Sequence, residues 1–190
     1  LSTGLNSSIK IEGLLALLRK EILCNMDDLA DNNNIILFQK CLAVQCFYNE
    51  FAFFQSDKED KIVQKLEKNL ETQANNNQLI SSLNLLCLAS YTKIYNYDWA
   101  RSILYSDEIK DVFKIVVSEP LLERSIKPLL TSITNIKDET SKIVEYQYSD
   151  SPYPRWRYTP TNTEINLDLF IKATNLKTTK NITILQNPPE

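Results

Sequence analysis

The chain has no histidine and only two glycines, Gly4 and Gly13, both near its start. The first absence removes the commonest zinc ligand and the commonest general base. The second reaches further, because hairpin turns, bulges and phosphate-cradling loops draw on glycine for positive φ or for close backbone approach. A nucleotide-binding α/β fold is therefore not expected within these 190 residues, and an all-helical body is. Cysteine is scarce and unpatterned. Cys24, Cys41, Cys46 and Cys87 lack a CxxC spacing and sit in apolar windows, which fits buried reduced thiols.

No apolar run reaches the roughly 18 to 20 uncharged residues needed to cross a bilayer. Lys40 and Glu50 interrupt the best stretch. The net charge of −3 supplies no general field towards phosphate backbones, so neither a membrane nor nucleic acid is an expected partner. The opening LSTGLNSSIKIEG lacks the basic segment, apolar core and small-residue cleavage pattern of a secretory signal, which points to a cytoplasmic protein.

What is present is apolar helical sequence. From Asn34 to Ser56 the run contains Ile35, Leu37, Phe38, Leu42, Phe47, Phe51, Phe53 and Phe54 and only the two charges already named. No polar stripe survives, so the reading is a central helix covered on several faces. Ahead of it, Ile9 to about Cys24 reads as an amphipathic helix capped by Ser7 or Ser8, with Ile11, Leu14, Leu15, Leu18 and Ile22 inward and Lys10, Arg19, Lys20 and Glu21 outward. Asp27, Asp28 and Asp31 cluster between the two. They lack the glycine of a calcium loop, and acidic residues are favoured ahead of a helix N-terminus in any case.

After Ser56 and Asp57, the segment KEDKIVQKLEKNLETQ spaces Ile62, Leu66 and Leu70 four apart, as a surface helix with one narrow apolar stripe would. The triplet Asn75, Asn76 and Asn77 then introduces a further apolar helix to about Tyr95. Asn34 with Asn77, Leu42 with Leu85 and Tyr48 with Tyr91 recur at one constant offset, a faint sign of stacked helix pairs. Short helices are expected around Trp99 to Leu104, from Asp107 to Val117, after Pro120 as far as Pro128, and from Asp138 to before Pro152.

Beyond Asp150 the composition changes. Pro152, Pro154 and Pro160 make SPYPRWRYTP extended or turning, and a last short helix follows at about Glu164 to Thr174. The fold expected is all-α, a multi-helix bundle or short α-solenoid-like array of helix pairs over residues 1–150, with an extended Pro/aromatic arm over 151–190. Tyr153, Pro154, Arg155, Trp156, Arg157 and Tyr158 concentrate aromatic and cationic chemistry in that arm. Such side chains dominate binding hot spots, so they are the candidates for an interaction or domain-docking site. An intramolecular clasp, with Trp156 in a groove on the helices, is the plainer use of the same residues.

The combination of QCFYNEFAF (Gln45 to Phe53), SEPLLERSIKPLL (Ser118 to Leu130) and VEYQYSDSPYPRWR (Val144 to Arg157) resembles the helical N-terminal region of bacterial tetratricopeptide-repeat-associated class I S-adenosylmethionine-dependent methyltransferases. In that family a QYEENPYPRW pattern closes the helical region. Here Gln147 to Trp156 reads QYSDSPYPRW, with Ser149, Asp150 and Ser151 in place of two acids and an asparagine. The resemblance implies that ILQNPPE runs into the first strand of a methyltransferase domain beyond Glu190. It implies S-adenosylmethionine as the cofactor of that domain, and the domain itself as the partner of these helices. Within residues 1–190 no G-x-G loop follows a strand, so no catalytic, cofactor-binding or metal site is expected here. A free-standing helical adaptor that binds a protein partner is the rival reading.

Overall fold

The computed structural model describes residues 9–29, 32–130 and 138–150. All of them belong to the first of two units into which the chain divides, Leu1–Arg155 and Trp156–Glu190. The described part is mostly helical, as expected. Helix α1 (Ile9–Cys24) and the single turn α2 (Met26–Leu29) lead into α3 (Asn33–Tyr48), α4 (Asp57–Asn75) and α5 (Ser82–Ala89). Two 3₁₀ turns follow, Ile94–Asn96 and Asp98–Arg101, and then the chain enters one long helical run from Asp107 to Leu129. Helix α8 (Glu139–Asp150) closes the described part.

The centre of the body is the second half of α3, where every residue from Leu42 to Tyr48 is buried. A helix can bury its whole circumference only if other elements surround it. Here α3 packs chiefly on α5, with α1 and the Lys110–Ser118 region against its other sides. Asn32 starts α3 by accepting from the backbone N–H groups of Asn34 and Ile35 at 3.1 and 3.2 Å. The N-terminal half is less enclosed, and Leu37 stands 62% exposed.

The central helix is shorter than the sequence suggests. It ends at Tyr48, and the chain turns through Glu50 and Phe51, both in the left-handed region at φ 54° and 60°. Phe51 N donates to the Cys46 carbonyl at 2.9 Å, the wide closing bond of a helix that ends in a left-handed cap. Phe53 then folds back into the core while Phe54 points to solvent, 81% exposed. Nothing in the residue types announces this, because such caps usually use glycine or asparagine. The second asparagine triplet also has a different role from the one read in the sequence. It ends α4, with Asn76 as the cap and Asn77 at φ 53°, and introduces no helix.

Helix α5 likewise stops early, at Ala89. The hydroxyl of Ser90 donates back to the Leu86 carbonyl at 2.9 Å and accepts from Gln39 Nε2 at 2.8 Å, a side-chain bonding pattern that competes with further helix. Where a short helix was expected around Trp99 to Leu104, the chain forms the Asp98–Arg101 turn and strand β2 (Leu104–Tyr105). That strand pairs in parallel with β1 (Leu79–Ile80), Leu79 opposite Leu104 and Ile80 opposite Tyr105. The faint repeat therefore does not propagate as regular helix pairs, since the stretch corresponding to α4 is broken by this strand and by 3₁₀ turns.

The run from Asp107 to Leu129 joins a 3₁₀ turn, α6 (Lys110–Phe113), a π turn (Lys114–Ser118), α7 (Glu119–Ile126) and a closing 3₁₀ turn (Lys127–Leu129). The π turn lies directly before Pro120. A proline in a straight α-helix sets its ring against the carbonyl four residues back and leaves that carbonyl without a donor. A turn that bonds to the fifth residue accommodates both problems, so Pro120 continues the run where the sequence suggested a new start.

Candidate functional site

The most elaborate polar arrangement among the described residues is built around Arg19, which the sequence placed on the outside of its helix. It is 1% exposed. The inward face of α1 is Leu15, Arg19, Ile22 and Leu23, whereas Ile11, Leu14 and Leu17 are the exposed ones. Arg19 Nη1 donates to the Ser90 carbonyl at 3.2 Å and Nη2 to the Phe54 carbonyl at 2.8 Å. Its guanidinium lies 4.0 Å from the ring centroid of Tyr91 and 5.6 Å from that of Phe53. The counter-charge is Glu59 Oε1, 3.9 Å from Nη2. Planar faces on rings and edge donors on carbonyls are what a guanidinium tolerates when it leaves water.

Glu59 reaches the same place from the first turn of α4. Ser56, the residue before that helix, donates to Glu59 Oε2 through its backbone N–H at 2.9 Å and its hydroxyl at 2.6 Å. The backbone bond is one half of a capping box, and the Glu59 backbone N–H donating to the Ser56 side chain is the other. Tyr91 Oη donates to the other oxygen, Oε1, at 2.8 Å. Burial alone would raise the Glu59 pKa, but the Ser56 bonds, the Tyr91 bond and the Arg19 cation outweigh it and hold it below its ordinary value. Burial also pushes the Tyr91 phenol well above its usual range, so Tyr91 keeps the proton it donates. Gln39 extends the set, donating to Ser90 Oγ from the middle of α3.

The node joins α1, α3, the turn after α3, α4 and α5 through one charge pair. Arg19, Gln39, Glu59 and Ser90 are all buried, so none presents a polar atom to a solute. Its chemistry is that of a tie between elements. Arg19 Nε and Gln39 Oε1 have no hydrogen-bond partner among the described residues, and the two ring faces supply the remaining stabilisation around the guanidinium.

Other charged side chains tie elements at the rim. Lys40 donates to the Glu108 carbonyl at 2.7 Å and pairs with Asp111 at 2.9 Å, and Lys93 pairs with Glu50 at 3.2 Å. The two charges of the central stretch thus both anchor it to neighbours. Arg124 stands 4.5 Å over the Tyr95 ring and donates to Asn96. Below the run from Asp107, an interior void of ≈ 10 Å³ is lined by Leu85, Ala89, Ile109, Val112, Phe113 and Val116, too small and too apolar for a polar substrate.

The sequence candidates Tyr153, Pro154, Arg155, Trp156, Arg157 and Tyr158 lie outside the described residues, as does Asp31. Asp27 and Asp28 are exposed in α2, and among the described residues no cluster of three or more His, Cys, Asp or Glu side chains forms a metal site. Cys46 and Cys87 are buried, and burial pushes each thiol up to about 12, while Cys24 and Cys41 are half-buried. No described helix is long and apolar enough to cross a membrane.

Exposed apolar side chains concentrate towards the end of the described part. Leu122, Ile126 and Leu129 follow helical spacing along α7 and its 3₁₀ extension, and Leu130 is the extended residue that ends it, with Leu129 and Leu130 at 79% and 70% exposure. Ile143, Val144, Tyr146 and Tyr148 are exposed on α8. Comparison with protein-family models, curated proteins and solved structures finds no match to this chain.

Proposed function

We propose that these helices are a non-catalytic N-terminal region that positions and docks a methyltransferase domain following in the same protein, or helps present its substrate. The observation that carries the docking role is the set of exposed apolar side chains Leu122, Ile126, Leu129 and Leu130 on α7 and at its end. Apolar side chains at helical spacing on a solvent face are what an interdomain contact uses. The polar chemistry of the body supports the same reading, since its buried charge pair, Arg19 with Glu59, ties internal elements together. The methyltransferase part rests on the resemblance carried by Gln45 to Phe53, Ser118 to Leu130 and Val144 to Arg157, of which the YPRW element is the most distinctive, and S-adenosylmethionine is the cofactor it implies for the following domain. The same stripe also suits a free-standing adaptor with a protein partner.

Two measurements separate these readings. Calorimetry with S-adenosylmethionine on residues 1–190 is expected to give no heat of binding, and a saturable heat would overturn the non-catalytic assignment. The gene read past the Glu190 codon is expected to encode a strand and glycine-rich loop within about 15 residues. A stop codon there would leave the adaptor.

A further inference from the structure

We propose that the turn from Asn49 to Ser56 is a strained strap, latched by Arg19 at one end and Lys93 at the other, that opens locally while the rest of the body stays folded. Three independent features converge on it. Its backbone holds two consecutive non-glycine residues, Glu50 and Phe51, in the left-handed region, a conformation that side chains with a Cβ resist. Within the turn and to α3 and α4 it is held by Phe51 N to the Cys46 carbonyl, Ala52 N to the Asn49 carbonyl, Gln55 to Asp60, Ser56 to Glu59 and the packing of Phe51 on Phe47. From outside, Arg19 Nη2 reaches the Phe54 carbonyl at 2.8 Å from α1, and Lys93 reaches the Glu50 carboxylate at 3.2 Å from beyond α5. Its single deeply buried side chain, Phe53, belongs to a small satellite cluster with Leu15, Leu42 and Cys46, to which Ala16, Phe38 and Phe51 add partial cover. The main core holds many more side chains. Strain, latches that single side chains from outside the turn supply, and a small cluster are the ingredients of a unit that opens below the cost of global unfolding.

Release of Arg19 from Phe54 O would let Phe53 swing out, and Cys46 would then meet solvent from beneath it. Cys46 is 0% exposed in the closed form and so reports opening directly. Cys87 supplies the internal control. It is 1% exposed, lies in the main core on α5, and its thiol is raised by burial as far as that of Cys46. The Arg19 guanidinium beside the Cys46 thiol partly offsets its rise, so access is read from the urea dependence of each rate and from the response to Lys93→Ala, in which that cation is retained.

The test is alkylation of the folded protein with iodoacetamide across a urea series below the unfolding midpoint, read by peptide mass spectrometry. Cys46 is expected to react at least about tenfold faster than Cys87, a ratio of opening constants, and with a weaker dependence on urea. Arg19→Lys and Lys93→Ala are each expected to raise the Cys46 rate severalfold relative to Cys87. Lys93 is at the rim, so its variant reports even if Arg19→Lys does not fold. Equal rates and equal urea dependence at the two thiols would show that only global unfolding exposes Cys46, and would overturn the proposal. A Cys46 to Cys87 ratio unmoved by Lys93→Ala would overturn the latch.

Discussion

Tyr91 and Glu59 meet in a 2.8 Å hydrogen bond while the Tyr91 ring carries the Arg19 guanidinium on its face, so one side chain serves both members of a buried ion pair. Tyr91→Phe keeps the ring and removes the donor. Because the acceptor is a charged group, the loss is expected to be about 1.5–3 kcal/mol, read as a lower urea midpoint with an unchanged slope. An unchanged midpoint would mean that Ser56 and Arg19 alone satisfy Glu59.

Arg19→Met is expected to be the most damaging change in α1, at about 3–5 kcal/mol, because it leaves the Glu59 carboxylate buried without its counter-charge. Combined with Glu59→Gln the total should fall clearly short of the sum of the single losses, since the second change removes the uncompensated charge. Additive losses in a double-mutant cycle would show that the 3.9 Å pair contributes nothing of its own.

Acid should loosen the same node. Glu59 has a folded pKa below its ordinary value of 4.5, so its contribution is fully present above that value and is lost as pH falls through the folded value. The urea midpoint is expected to drop as pH is lowered below about 4.5, with the drop shallower in Glu59→Gln. Parallel profiles for the two proteins would assign the acid lability to other carboxylates.

At Asn77 the left-handed backbone makes a clean contrast available. Asn77→Ala is expected to lose about 1 kcal/mol and Asn77→Gly to lose nothing or gain slightly, because only the alanine Cβ opposes φ 53°. Thermal midpoints of the two variants in opposite order would contradict the left-handed cap of α4.

Leucines at the two extremes of exposure should behave differently. Leu70, at 0% exposure in α4, is expected to cost about 2–5 kcal/mol on change to alanine, whereas Leu129, at 79%, should change stability by less than about 0.5 kcal/mol. If Leu129→Glu instead lowers the midpoint strongly, the stripe on the α7 extension is covered within the chain itself.

Much of the helical framework is legible in the residues. The limits of α1 and α4 follow from hydrophobic spacing and from the serine, aspartate and asparagine residues around them, and Asp138 opens α8 by accepting from Ser141 N at 2.8 Å. What was not legible came from tertiary demands that override local type. Arg19 reads as a solvent-facing charge, and only the aromatic faces of Phe53 and Tyr91, far away in sequence, make a buried place for it. Phe51 carries no mark of a left-handed turn, so the long apolar run reads as helix through to Ser56. Glu59, by contrast, was findable. A serine with a glutamate three residues on is a recognisable helix start, but its burial is not implied by that pairing and comes from Arg19 and Tyr91.

The wide turn ahead of Pro120 makes this stretch of chain unequal in its tolerance of length changes. Dropping one residue between Lys114 and Ser118 would tighten the coil to ordinary pitch and drive the pyrrolidine ring into a carbonyl. Adding one would turn the buried Val116 or Val117 out of register with the core by about 100°, so the wide turn fixes the length of this rod in both directions.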